Sequence, residues 1–200
     1  MREPFIEYIQ TKFNPKTLLI SCGLPGTYKT ETTQEIAKIH NIPILRTDII
    51  RREILKNVDI FDEKVASNFE IRKKVYDEMF KRAESLLKNK KSVILDATFV
   101  TQELRLRAAA IAEQQQKKLT ILQTHCSKQA SIRRILKRTK ENYESNALTE
   151  QAYLNNVKKF QEVNLKEIKD NRPTLTILHL LVDTELDPPN QWYIVEKEEQ

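Results

Sequence analysis

The chain has 200 residues, 40% hydrophobic and 31% charged, with a formal net charge of +6, which describes one globular domain with a basic excess suited to a phosphorylated or nucleic-acid substrate. No apolar run approaches the roughly 18 residues of a membrane span, and the opening MREPFIEYIQ lacks an apolar signal core, so a cytoplasmic protein with no membrane partner is expected. Cys22 and Cys126 form no CxxC pair, and His40, His125 and His179 lack metal-ligand spacing, which excludes disulfide scaffolds and zinc ribbons.

Residues 1–15, closed by Pro15, read as a helical extension ahead of a single domain over 16–200. The domain opens with 16–21 (KTLLIS), a continuous apolar run of the kind buried in a parallel sheet. A chain of this length carries about 14 glycines on average; this one carries two, Gly23 and Gly26, both in the octapeptide GLPGTYKT. A helical pattern over 29–40 follows. Strand, glycine-bearing turn and helix in succession are the setting of a phosphate-binding loop of Walker A type. The backbone of Gly23, Leu24, Pro25, Gly26, Thr27 and Tyr28 would curl around phosphate at the helix N-terminus, with N–H donors from all but Pro25. Lys29 would reach the β- and γ-phosphates, and the Thr30 hydroxyl would hold Mg²⁺. Tyr28 stands where glycine is usual, so its side chain must turn away from the nucleotide. Glu31 suits the helix dipole and, beside a triphosphate, is expected to face outward.

Beyond the loop, apolar spacing alternates. Strands are predicted at 41–46 (NIPILR), 91–96 (KSVILD), 118–125 (KLTILQTH) and 174–182, and helices at 48–55, 68–88, 102–116, 127–144 and 149–170. Met79 and Phe80 fall on an apolar helical stripe and are assigned to the core. Residues 56–67 read as a loop or broken helix. A short strand at 192–195 precedes an acidic tail, EKEEQ, expected to be solvated. The alternation predicts an α/β domain in three layers around a mainly parallel sheet.

In open α/β sheets, ligands gather beyond the carboxyl ends of the strands. Asp48 follows the second strand and Asp96 ends the third, so two carboxylates reach the edge that carries the loop. Asp48 suits a base that orients an acceptor hydroxyl, with helix N-cap as its bland alternative. Asp96 suits a water-mediated Mg²⁺ ligand. Residues 128–140 hold Lys128, Arg133, Arg134, Lys137, Arg138 and Lys140. Arg134 and Arg138, four apart, would share one helix face and could close over a transferring phosphoryl group from a mobile lid.

These pieces together resemble the P-loop kinases that include polynucleotide 5′-kinase, gluconate kinase and the zeta-toxin kinases. GLPGTYKT, LRTDIIR, ILDATF and IRRILKR carry the resemblance, which spans roughly residues 17–165. It implies a five-stranded parallel sheet ordered 2-3-1-4-5 with a helical lid, about 127–150, after the fourth strand. It implies ATP and Mg²⁺ as cofactors, with Lys29, Thr30 and the rest of the loop through Glu31 on the nucleotide, Asp48 as general base, Arg51 on a substrate phosphate, Asp96 and Thr98 along the acceptor site, and Arg134 and Arg138 as lid arginines. The activity expected is transfer of the ATP γ-phosphoryl group to a hydroxyl, foremost a polynucleotide 5′ end or a phosphorylated small molecule. A sugar, amino alcohol, antibiotic or charged tRNA are alternative acceptors. A nucleotide-binding regulator with little turnover is the alternative of another class.

Overall fold

The computed structural model describes residues 2–56, 68–89, 92–139 and 147–200; the loop or broken helix expected at 56–67, beyond its first residue, and part of the expected lid lie outside them. Five strands build the parallel core: β2 (Thr17–Cys22), β3 (Ile44–Arg46), β4 (Val93–Asp96), β5 (Lys118–His125) and β6 (Ile177–Asp183). Their order in space is β3-β4-β2-β5-β6, the predicted 2-3-1-4-5. Two antiparallel strands extend the sheet beyond β6, in the order β7 (Tyr193–Glu199) then β1 (Glu3–Pro4), giving seven strands among the described residues.

Helices cover both faces. Leu18 and Ile20 of β2 point into one core with Met79 and Phe80 of α4 (Phe69–Asn89), Ala108 and Ala112 of α5 (Gln102–Gln114) and Ile168 of α8 (Leu165–Asn171). Leu19 points the other way, into a core shared with Phe5 and Ile9 of α1 (Phe5–Thr11) and Ile36 of α2 (Lys29–His40). The period-two alternation of a strand buried on both faces thus supplies two cores. The N-terminal helix is part of this body, and its Phe5 and Ile9 are fully buried.

Four expectations are corrected. The second strand begins at Ile44, because Asn41 adopts a left-handed conformation (φ 53°) and caps α2, whose Ala37 carbonyl accepts from Ile42 N–H at 3.1 Å. The helix predicted over 149–170 is two, α7 (Glu150–Lys159) and α8. Between them the carbonyls of Gln161 and Glu162 accept from the buried Arg105 at 2.6 and 2.9 Å, and Asn164 caps α8. The helix predicted over 127–144 ends as α6 (Lys128–Leu136). Finally, the acidic tail is not simply solvated. It runs on as β7, paired antiparallel with β6, and its Glu199 side chain meets Lys118.

Among the described residues, no helix is long and apolar enough to cross a membrane.

Candidate active site

The octapeptide occupies the turn between β2 and α2. Gly23 (φ 141°) and Gly26 (φ 82°) hold conformations that side chains disfavour, and a Cβ on either would lie 2.6 Å from a backbone oxygen, of Thr124 and Ser131 respectively. This is why the chain spends its two glycines here. Tyr28 takes the left-handed region (φ 57°, ψ 33°) that a glycine would enter at no cost, and so preserves the loop's path into α2. Its ring turns toward Trp192, with centroids 5.5 Å apart, and lies under the Arg134 guanidinium at 4.0 Å.

One cleft gathers most of the predicted site. Pro25, Gly26, Tyr28, Lys29, Thr30, Glu31, Asp48, Arg51, Asp96, Thr98 and Arg138 all line it. Gly23, Leu24 and Thr27 stand behind it as supports: the Thr27 hydroxyl bonds Leu24 O at 2.8 Å and Thr124 Oγ1 at 2.7 Å. Contrary to the outward orientation expected of it, Glu31 lines the cleft in the first turn of α2, where the helix dipole favours a carboxylate.

Lys29 arches over the loop, donating from Nζ to Leu24 O at 2.7 Å. Burial lowers its pKa to about 8, against the pull of Asp96 and with help from nearby Arg138. Thr30 Oγ1 donates to Asp96 Oδ2 at 2.8 Å, and Ser21 Oγ to Asp96 Oδ1 at 3.2 Å. Parallel pairing sets Arg46 of β3 beside Asp96 of β4, and Arg46 Nε lies 3.3 Å from Oδ2. Burial raises the pKa of Asp96 despite these partners.

Asp48 is the second residue of α3 (Thr47–Ile54), whose N-cap position is Arg46, and no side-chain cap bond forms there. Its carboxylate instead meets Arg51 Nη1 at 3.3 Å across one helical turn. Burial is the main cause of its raised pKa, with Arg51 opposing and Asp96 reinforcing. Arg51 is 8% exposed, and its Nε has no hydrogen-bond partner among the described residues.

The two predicted lid arginines part company. Helix α6 stops at Leu136, so Arg138 lies past its end, does not share a face with Arg134, and enters the cleft. Arg134 is buried behind the loop, bonded to the carbonyls of Gly26 (3.1 Å), Thr184 (2.8 Å) and Glu185 (2.9 Å) and to Asp187 (3.0 Å). It does not line the cleft. Arg46, Arg72, Tyr76 and Asn156 do, and the sequence reading did not single them out. Arg72 and Tyr76, four apart at the start of α4, carried a visible signal in their helical spacing. Among the described residues of the lining, the cations Lys29, Arg46, Arg51, Arg72 and Arg138 outnumber Glu31, Asp48 and Asp96, which suits the cleft to anions.

Cys22 is fully buried against Arg105, whose Nη2 lies 3.4 Å from Sγ; Cys126 is half-exposed, with Arg134 Nη1 3.3 Å from its sulfur.

A phosphate loop at the carboxyl edge of a parallel sheet, between the central strand and its helix, defines the P-loop nucleotide-binding class of folds. The chain belongs to the AAA domain family, whose profile matches residues 18–163. Its fold is that of the P-loop kinases. It is similar to a gluconokinase from Sinorhizobium meliloti 1021 (13% identity, TM-score 0.61, covering 88% of this chain and 87% of that one). It is similar also to a sugar kinase from Janibacter sp. HTCC2649 (15% identity, TM-score 0.62, covering 88% and 90%). A third similar structure is AvrRxo1-ORF1:AvrRxo1-ORF2 (16% identity, TM-score 0.57), with 98% of this chain and 61% of that one covered. No curated protein matches the sequence significantly.

Proposed function

We propose that this protein is an ATP-dependent phosphotransferase that moves the γ-phosphoryl group to the hydroxyl of an anionic acceptor. The observation that carries the reading is the convergence, in one cleft, of Lys29 on a phosphate loop, the Thr30–Asp96 pair, and Asp48 with Arg51. The loop N–H groups and the α2 N-terminus hold the phosphates. Lys29 and Arg138 offset charge developing on the transferring group. The carboxylate of Asp48 accepts the acceptor's hydroxyl proton or orients that hydroxyl; a raised pKa makes it a better proton acceptor than an ordinary aspartate.

Thr30 and Asp96 offer a hydroxyl and a carboxylate side by side, the hard oxygen donors that Mg²⁺ prefers, so these residues fit the ion. When bound it would neutralise phosphate charge.

Arg51, whose buried Nε has no partner among the described residues, and Arg72 supply donors for an anionic group on the acceptor. A polynucleotide 5′ end and a small phosphorylated or carboxylated polyol both meet that description. The named activities of two similar structures, a gluconokinase and a sugar kinase, support keeping the second.

The test is transfer of label from γ-³²P-ATP with Mg²⁺ to 5′-hydroxyl RNA, 5′-hydroxyl DNA, bulk tRNA and a metabolite extract. Label on an acceptor that is lost in Asp48→Asn supports the reading. Binding of ATP with no transfer to any acceptor would favour a nucleotide-binding regulator.

A further inference from the structure

The cleft does not use the part of the chain that holds the phosphate loop from behind. Residues 184–192 lie beyond the stretch 18–163 that the family profile matches, yet they touch the loop directly. The Thr184 hydroxyl donates to Thr27 O at 3.0 Å. Trp192, 1% exposed and anchored by an Nε1 bond to Leu186 O at 2.8 Å, packs its ring against Tyr28. Asp187 receives Arg134 at 3.0 Å, and the guanidinium it holds lies 4.0 Å over the Tyr28 ring.

Tyr28 has a reason to need such support. A non-glycine residue in the left-handed region is strained, and relaxing it would swing the Tyr28 and Lys29 N–H groups out of the concavity that receives phosphate. In a loop with glycine at that position nothing has to be held. Here the tyrosine converts a strained backbone into one fixed by its own side chain, between a guanidinium and an indole.

We infer that Asp187 is a positioning residue for nucleotide binding: it fixes the Arg134 guanidinium over the Tyr28 ring and so holds residue 28 in its left-handed conformation, and in this way the C-terminal segment sets the phosphate loop. This rests on the nucleotide-binding reading of that loop. Asp187 is half-exposed and its carboxyl can be made an amide without opening a cavity.

The test compares Mg-ATP dissociation constants, by calorimetry, for the parent protein, Asp187→Asn, Tyr28→Gly and the double variant. Asp187→Asn is expected to weaken binding about five- to thirty-fold, the range set by the cost of a left-handed non-glycine residue. In the Tyr28→Gly background the same Asp187→Asn change is expected to alter affinity less than twofold, because glycine holds the conformation unaided. An unchanged affinity in Asp187→Asn overturns the proposal. So does an equal loss in both backgrounds, which would mean that Asp187 acts through the Arg134 bond to the Gly26 carbonyl and not through the Tyr28 ring.

Amide chemical shifts of the ligand-free proteins keep the two readings separable. If the parent binds no Mg-ATP, the nucleotide reading fails. The clamp is then judged on Gly26, Thr27 and Lys29 amides, which Asp187→Asn should move in the parent background and leave in place when Tyr28→Gly is present. Shifts that move alike in both backgrounds, or in neither, overturn it.

Discussion

The two sides of the phosphate loop are built by opposite rules. Behind it, polar groups are saturated: Arg134 bonds three carbonyls and a carboxylate, Thr27 pairs with Thr124, and Thr184 bonds both Thr27 O and His125 O. In front, capacity is held open. Arg51 Nε has no hydrogen-bond partner among the described residues, and Asp48, Asp96 and Lys29 all have pKa values displaced by burial. A buried donor with all its partners in the protein makes structure; one left short of partners is paid for elsewhere and waits for a ligand. The contrast is sharpest between Arg134 and Arg138, four residues apart and of the same type, which a continuous helix would have put on one face. The early end of α6 at Leu136 sends one to each side.

The largest effect that would break this comparison is on the front. Arg138→Ala should lower kcat about 10³-fold or more while leaving the denaturation midpoint near the parent's. A small kcat effect in a rapid-quench assay would move Arg138 out of the transition state. Asp48→Asn should lower kcat about 10²- to 10⁴-fold with ATP affinity retained. The parent's kcat should rise with pH through the Asp48 pKa, above the ordinary carboxylate range, since the base must be ionised. The variant should lose that acid limb.

On the back, Arg134→Ala should act on stability before chemistry. It strands the Gly26, Thr184 and Glu185 carbonyls, each an acceptor of Arg134, and should cost about 2–4 kcal/mol in a urea titration. If its stability were unchanged and only kcat fell, the two arginines would belong to the same side after all. Arg51→Ala should raise the acceptor KM about 10- to 100-fold, the value of hydrogen bonds to a charged group, without changing ATP affinity.

The smallest effect is in pH. Lys29 binds phosphate as the cation, and burial puts its pKa at about 8. ATP affinity should therefore be level below pH 8. It should weaken as pH rises through that value, by up to about tenfold per unit, until the higher pKa that bound phosphate confers on the lysine is reached. Isothermal titrations across pH 7–9.5 would show the break, and Lys29→Arg should remove it.

Much of this was legible in the residues themselves. Strand, turn and helix around GLPGTYKT are local structures, set by apolar period and by the conformational freedom of Gly23 and Gly26, so the loop and its lysine could be read directly. Asp48 and Asp96 could be placed because each ends or follows a strand of a parallel sheet, and topology brings strand ends together. The order of the five parallel strands came from the resemblance to the P-loop kinases, and the sheet has it. What the tertiary structure alone decided is non-local. Arg105 intercepts the carbonyls that would have continued a helix through 161–162, and pairing with β6 turns a charged tail into a strand of the sheet. Tyr28 looked like a defect in its motif; its partners Arg134 and Trp192 lie more than 100 residues on. No period in the sequence reports such pairs, because the free energy that selects them comes from burying rings and satisfying polar groups across the sheet, where the chain's own neighbours have no say.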